Sequence, residues 1–237
     1  MHSFLGELIG TCSMIVFGQS VSAGINLKGT FGSYQKNNWF FVTFAWGMAV
    51  TAGTYIAESL GSLGHLNPAI TISYALFGII SWGNVVPYLF GQFIGAFIGA
   101  TIVIFNFYDH FAANKNFPIL GIFATRPAKK NYFFNFMNEL IATFFLVIVL
   151  LNLGTINGGI KPYISGICVF LVGSGLGTTT GFALNPARDF SPRLAYTIIP
   201  IPHKTKSSSE WNYSWIPLIA PTIGAILACF ANFYFHL

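Results

Sequence analysis

The tripeptide Asn-Pro-Ala occurs twice, as Asn67-Pro68-Ala69 and Asn185-Pro186-Ala187, each time inside membrane-like sequence. No other feature restricts the fold as much. Asn-Pro is a helix start: the Asn side chain caps the first free N–H groups, and Pro fits the first helical position, where no N–H is needed. The apolar segments that these motifs open, Pro68–Phe77 and Pro186–Thr197, are too short to cross a bilayer. Two helices that begin inside a membrane point two positive dipole ends at its midplane, which is a way to build a selective pore.

Composition makes the membrane reading firm. Of 237 residues, 54% are hydrophobic and 7% charged, with a mean hydropathy of +0.66, whereas a soluble domain carries about 25% charged residues. Long apolar runs satisfy their own backbone in lipid only as helices. The expectation is therefore an all-α membrane protein forming one channel domain over residues 1–237. Six spans are expected, at Ser3–Ser22, Trp39–Glu58, Gly83–Phe105, Phe133–Leu153, Tyr163–Gly181 and Trp215–Phe235, plus the two half-helices. Little basic sequence precedes the first run, so it reads as a retained span rather than a cleaved signal peptide. Cys12, Cys168 and Cys229 are scattered in apolar segments, with no CxxC and no His/Cys cluster, which argues against metal sites and disulfides. The formal charge of +5 lies in loops. No basic helix face exists for nucleic acid. Nothing here calls for covalent chemistry, catalytic residues or a cofactor.

The halves correspond, as repeats at about residues 1–110 and 131–237. Gly6-Glu7-Leu8-Ile9-Gly10-Thr11 matches Asn138-Glu139-Leu140-Ile141-Ala142-Thr143, and His65-Leu66-Asn67-Pro68-Ala69 matches Ala183-Leu184-Asn185-Pro186-Ala187. Three spans per repeat is an odd number, so the second half enters the membrane from the opposite side. The two half-helices then dip in from opposite faces and meet N-terminus to N-terminus. Polar insertions at Asn26–Asn38 and Pro200–Tyr213 interrupt no apolar segment. Each Asn would cap its helix with its side-chain oxygen and turn its amide N–H₂ to the pore, so that two donors hold one water oxygen or solute hydroxyl.

On these residues the chain resembles the aquaporin, or major intrinsic protein, family, and the match covers nearly its whole length. Asn185-Pro186-Ala187-Arg188-Asp189, together with Arg193, Pro217 and Leu218, is similar to the aquaglyceroporin (glycerol facilitator) branch. The resemblance implies an aquaporin-like bundle assembled as a homotetramer with one pore per subunit. It implies a passive channel in the plasma membrane for glycerol and other small uncharged solutes, also passing water and excluding protons and ions. By matching, the narrowest point is formed by Trp46, Gly173, Phe182 and Arg188. Two aromatic faces at right angles would hold an alkyl backbone, Gly173 would leave space, and Arg188 would donate to hydroxyls from the other side. Glu7 and Glu139 would accept hydrogen bonds from the half-helix loops, with His65 and Asp189 in further supporting roles.

Two other function classes stay open from the residues. A secondary transporter also uses inverted repeats with broken helices, although no intramembrane acid beyond Glu7 and Glu139 is spare. A water-selective channel is disfavoured by Gly173, Phe182 and Asp189. The loop charges raise a conflict over orientation. Lys28, Lys36, Lys115, Arg126, Lys129, Lys130, Arg193, Lys204 and Lys206 fall on one side, and only Lys161 on the other. The positive-inside rule would put the larger set in the cytoplasm, whereas the family topology puts it outside, with both termini inside.

Overall fold

A computed structural model of the chain describes residues 2–36, 38–114, 118–154, 159–204 and 209–235. All regular structure among them is helical. In chain order the helices are α1 (His2–Asn26), α2 (Trp39–Ser59), α3 (Pro68–Leu76), α4 (Val85–Asn106), α5 (Tyr108–Ala113), α6 (Leu120–Phe123), α7 (Tyr132–Leu151), α8 (Lys161–Gly175), α9 (Pro186–Ile198) and α10 (Trp215–Phe235). The short helices opened by the two motifs are α3, of 9 residues, and α9, of 13 residues.

Five of the six expected spans are helices long and apolar enough to cross a membrane, among the described residues. The fifth in order, expected over Tyr163–Gly181, departs from that reading. Its helix α8 spans 15 residues and ends at Gly175, with turns continuing to Thr180. The cause is local. Gly173, Gly175 and Gly177 each cost about 1 kcal/mol of helix propensity relative to Ala, and three threonines follow. The N–H groups of Leu176 and Gly177 both close back on the Val172 carbonyl, at 2.8 and 3.0 Å, which ends the helix.

Packing is reciprocal between the halves. Helix α1 packs on α2 and α4, and α7 packs on α8 and α10; α3 lies against α10, and α9 against α4. Each half-helix is thus held by the last long helix of the other half. Lipid offers no hydrophobic drive between helices, so close backbone approach must hold them together. Gly91, Gly95 and Gly99 form one stripe of α4 and face Phe4, Leu8 and Cys12 on α1. A Cβ at Gly91 or Gly99 would sit 2.7 Å from a carbonyl oxygen of α1, and one at Gly95 would overlap that of Leu8. Gly224 of α10 is pressed in the same way onto Leu140 of α7.

Several of those basic residues have structural partners, and Arg193 stands on α9 rather than in a loop. Arg193 is fully buried. Arg126 and Lys130 pair with Glu210 at 2.6 and 3.7 Å. Lys204 Nζ donates to the carbonyls of Tyr196, Thr197 and Ile199 at the end of α9, at 2.6 to 2.9 Å, and partial burial pulls its pKa down. These positions are fixed by folding of the loop as well as by topogenesis, which weakens the charge count as a guide to orientation. Lys115 and Lys206 lie outside the described residues.

Candidate pore and selectivity site

The two motifs build almost the same backbone. Asn67 has φ −150° and ψ 114°; Asn185 has φ −149° and ψ 111°. Asn67 Oδ1 accepts from the Ala69 N–H at 2.9 Å, and Asn185 Oδ1 accepts from those of Ala187 and Arg188 at 3.0 and 3.2 Å. Their Nδ2 atoms cross over. Asn67 donates to the Leu184 carbonyl at 2.8 Å, and Asn185 to the Leu66 carbonyl at 2.6 Å. The sequence reading gave both N–H groups of each amide to the pore. In fact one N–H of each ties the two half-helix tips together, so only one of the two is left over from that tie.

The residues before the motifs are in the left-handed region, Leu66 at φ 51° and Leu184 at φ 55°. That conformation is strained for a non-glycine residue and persists only where its surroundings over-determine it. Here the two buried acids do so. Glu7 accepts from the N–H groups of His65 and Leu66 at 2.9 and 2.7 Å, and also from Ser62 Oγ and Gln92 Nε2. Glu139 accepts from the N–H groups of Ala183 and Leu184, both at 3.0 Å. Both residues are 0% exposed. His65 contacts Thr71 Oγ1 through Nδ1 at 3.1 Å and sits edge-on to Tyr74 and Tyr88.

A cavity of about 270 Å³ runs through this meeting point. Along α2 it is lined by Trp46, Val50, Thr54 and Glu58, and along α8 by Lys161, Ser165 and Val169. Both sets repeat every four residues, one helical stripe each. The α2 stripe runs from Trp46 to Glu58, about 18 Å of helix. Asn67, Asn185, His65 and the loop residues Leu66 and Leu184 line its middle; Trp46, Phe182 and Arg188 close one end. Gly173 is the next position of the α8 stripe. It does not itself line the cavity: a Cβ built there would lie 3.1 Å from Thr43 and 3.2 Å from the Phe182 ring, so the glycine lets Phe182 pack closely against α8.

The end of the cavity at Trp46 differs in detail from the expected corner. Arg188 lies on the Trp46 ring, with its guanidinium carbon 4.0 Å from the ring centre, and its Nη1 donates to the Phe123 carbonyl at 3.3 Å. It therefore shares the side of Trp46 rather than facing it. The right-angled aromatic pair is Phe182 with Trp39, whose ring centres are 5.5 Å apart at 88°. Trp39 also donates its indole N–H to the Gly173 carbonyl at 3.1 Å. Sequence reasoning missed Trp39, although it lies two turns before Trp46 on the same helix face.

Asp189 does not pair with Arg188. It accepts from the Thr125 N–H and hydroxyl at 2.7 and 2.6 Å, and from Arg193 Nε and Nη2 at 3.0 and 2.8 Å. Arg193 also donates to the Thr125 and Ser209 carbonyls at 3.0 and 2.8 Å. The pair clamps the segment 119–126 onto α9, and the same segment supplies the Phe123 carbonyl to Arg188. Among the described residues no cluster of His, Cys, Asp or Glu is placed to hold a metal.

Capped half-helices that meet tip to tip in a lined cavity, inside a bundle of apolar helices, are the architecture of a pore-forming, multi-pass membrane protein. The comparisons agree. The chain matches the profile of the family described as "Major intrinsic protein" over residues 1–232. It is 54% identical to glycerol uptake facilitator protein 2 of Lactiplantibacillus plantarum, over 96% of this chain and 97% of that protein. Identity to the glycerol uptake facilitator protein of Streptococcus pneumoniae strain R6 is 40%, over 96% and 97%. The aquaglyceroporin structure from Plasmodium falciparum superposes with a TM-score of 0.84 at 28% identity, covering 98% of this chain and 94% of that one. The chain belongs to the major intrinsic protein family, and as a member it is a transmembrane channel rather than an enzyme.

Proposed function

We propose that this protein is a passive channel for glycerol and similar small uncharged solutes, which also passes water and excludes protons and ions. The observation that carries the reading is the reciprocal Asn67–Asn185 arrangement at the middle of one cavity. Each amide keeps one N–H for a passing hydroxyl or water oxygen at the point where two helix dipoles present their positive ends. A water there accepts from both sides, which breaks the donor–acceptor order of a proton wire, and the dipoles oppose cations. The mouth formed by Trp46, Phe182 and Arg188 offers aromatic surface for a carbon chain and guanidinium donors for its hydroxyls. Gly173 lets the Phe182 ring pack against α8, where a larger side chain would push it toward the cavity. The names of the relatives point to the same solute.

Glu7 and Glu139 support the channel reading over a secondary transporter. Their oxygens are taken up by backbone and side-chain donors, so neither is a free carrier for a proton or a sodium ion. We read the whole chain as one channel domain of two inverted halves. It acts as a homotetramer in the plasma membrane, with both termini in the cytoplasm. Stopped-flow light scattering on proteoliposomes tests the solute. Glycerol and water should cross faster than in empty vesicles. Acceleration of water alone would replace the reading with that of a water-selective channel.

A further inference from the structure

Two polar residues of α1 stand behind the narrow end of the cavity. Ser22 Oγ accepts the Trp46 indole N–H at 3.1 Å while donating its own hydrogen to the Gly18 carbonyl, also at 3.1 Å. The hydroxyl is thus fixed in direction, and with it the plane of the indole. Gly18 lets the ring lie flat on α1, because a Cβ there would be 2.5 Å from a Trp46 ring carbon. One turn before Ser22, Gln19 is 0% exposed and donates Nε2 to the Phe123 carbonyl at 2.9 Å. That oxygen is the one Arg188 Nη1 also bonds. The opposite orientation of the amide would set two oxygens against each other, so Nε2 is the end that faces the carbonyl. Oε1 has no hydrogen-bond partner among the described residues. A glutamine buried in an apolar span with half its polar group unpaired is a costly choice for packing alone.

We propose that Gln19 and Ser22 are positioning residues for selectivity. Ser22 sets the Trp46 face, and Gln19 anchors the carbonyl that holds Arg188 on that face. Together they fix the separation between the Arg188–Trp46 stack and the opposite wall, and so the size and hydroxyl pattern of the solute admitted. The inference rests on the selective site described under the proposed function. It adds that the site is set from α1 by two residues that do not themselves line the cavity. Without Ser22 the indole loses its only oriented acceptor and tilts. Without the Gln19 donor the Phe123 carbonyl is held by Arg188 alone, and the guanidinium follows the loop.

The test uses the full-length protein in proteoliposomes, with variants Gln19→Met, Ser22→Ala and Ser22→Thr. Two readouts are taken: the glycerol-to-water permeability ratio, and proton leak to an entrapped pH dye. Gln19→Met and Ser22→Ala should each lower the ratio at least about fivefold, the size expected from losing one hydrogen bond that holds the site. Gln19→Met should also raise the proton leak, because Arg188 is displaced. Ser22→Thr keeps the hydroxyl and should keep the parent ratio. A ratio within about twofold of the parent for both Gln19→Met and Ser22→Ala, well below one hydrogen bond's worth, overturns the inference. So does a Ser22→Thr variant as defective as Ser22→Ala, since that marks a steric role. A parent that passes water but no glycerol refutes the solute reading instead; the proton leak of Gln19→Met then still decides whether α1 positions Arg188.

Discussion

Replacing Asp189 by alanine should destabilise the protein without opening it to protons. Asp189 and Arg193 form a pair in which both side chains are 0% exposed. Removing one partner of such a pair costs about 3–5 kcal/mol, because the other charge stays buried and uncompensated. Arg193 would keep the carbonyls of Thr125 and Ser209, and the longer contact to Glu210. The lower end, about 3 kcal/mol, is therefore expected for Asp189→Ala. At 2–4 °C per kcal/mol for a domain of this size, the thermal midpoint should drop by about 6–12 °C. The double variant Asp189→Ala/Arg193→Met removes both charges and should recover most of the loss, since an apolar replacement of a buried pair is near neutral. The assay is thermal unfolding of detergent-purified protein, with proton flux into liposomes measured below the midpoint. Gln19 still holds the Phe123 carbonyl in these variants, so Arg188 should keep its place on Trp46 and the vesicles should stay proton-tight. A single variant as stable as the parent, or a double variant no better than the single, would refute the claim that this pair clamps the segment over α9.

Four further outcomes follow from the same geometry. Gly173→His combined with Phe182→Thr should cut glycerol flux by about tenfold or more while changing water flux little, because pocket size discriminates on that scale; parallel permeability measurements read this out, and equal losses would remove both residues from the selective site. Arg188→Val should raise proton flux under an imposed potential while the half-helix cap at Asn185 stays intact, and a proton-tight variant would contradict its place at the narrow end. Glu7→Gln should destabilise more than Glu139→Gln in thermal unfolding, since Glu7 accepts from Ser62, His65, Leu66 and Gln92, and each orphaned buried donor costs about 1–3 kcal/mol. Gly95→Leu should abolish stable folding, scored by monodispersity in detergent, because even a Cβ there collides with the Leu8 carbonyl of α1.

What was legible in the sequence was local chemistry repeated twice. Asn67-Pro68 and Asn185-Pro186 announce helix starts by themselves, and the observed caps have matching dihedral angles. The equivalence of Glu7 and Glu139 could be read because each sits at the same place in its half, and both turn out to hold the backbone just before a motif. The α8 boundary was misread because hydropathy does not register how poorly Gly175-Leu176-Gly177 and the threonines after it sustain a helix. Contacts across long separations were beyond reach. Gln19 bonds Phe123 across 104 residues, and Trp39 bonds Gly173 across 134. Nothing in the segment 119–126 carries a pattern that would dock it on α9. The lone signal for Gln19 and Ser22 was polarity within an apolar span, one turn apart, and the reading of α1 weighed only its acid. Arg188 was placed at the narrowest point by the family resemblance, but its stacking on Trp46 depends on how α1, α2 and α9 converge.

Passive conduction is the central claim, and glycerol equilibration in proteoliposomes tests it most directly. Light scattering is followed after a glycerol gradient is imposed, with and without ionophores that collapse proton and sodium gradients. The account predicts a glycerol rate well above that of empty vesicles and the same under every ionic condition, because the oxygens of Glu7 and Glu139 are committed to the half-helix loops. A glycerol rate that disappears when either gradient is collapsed would contradict it.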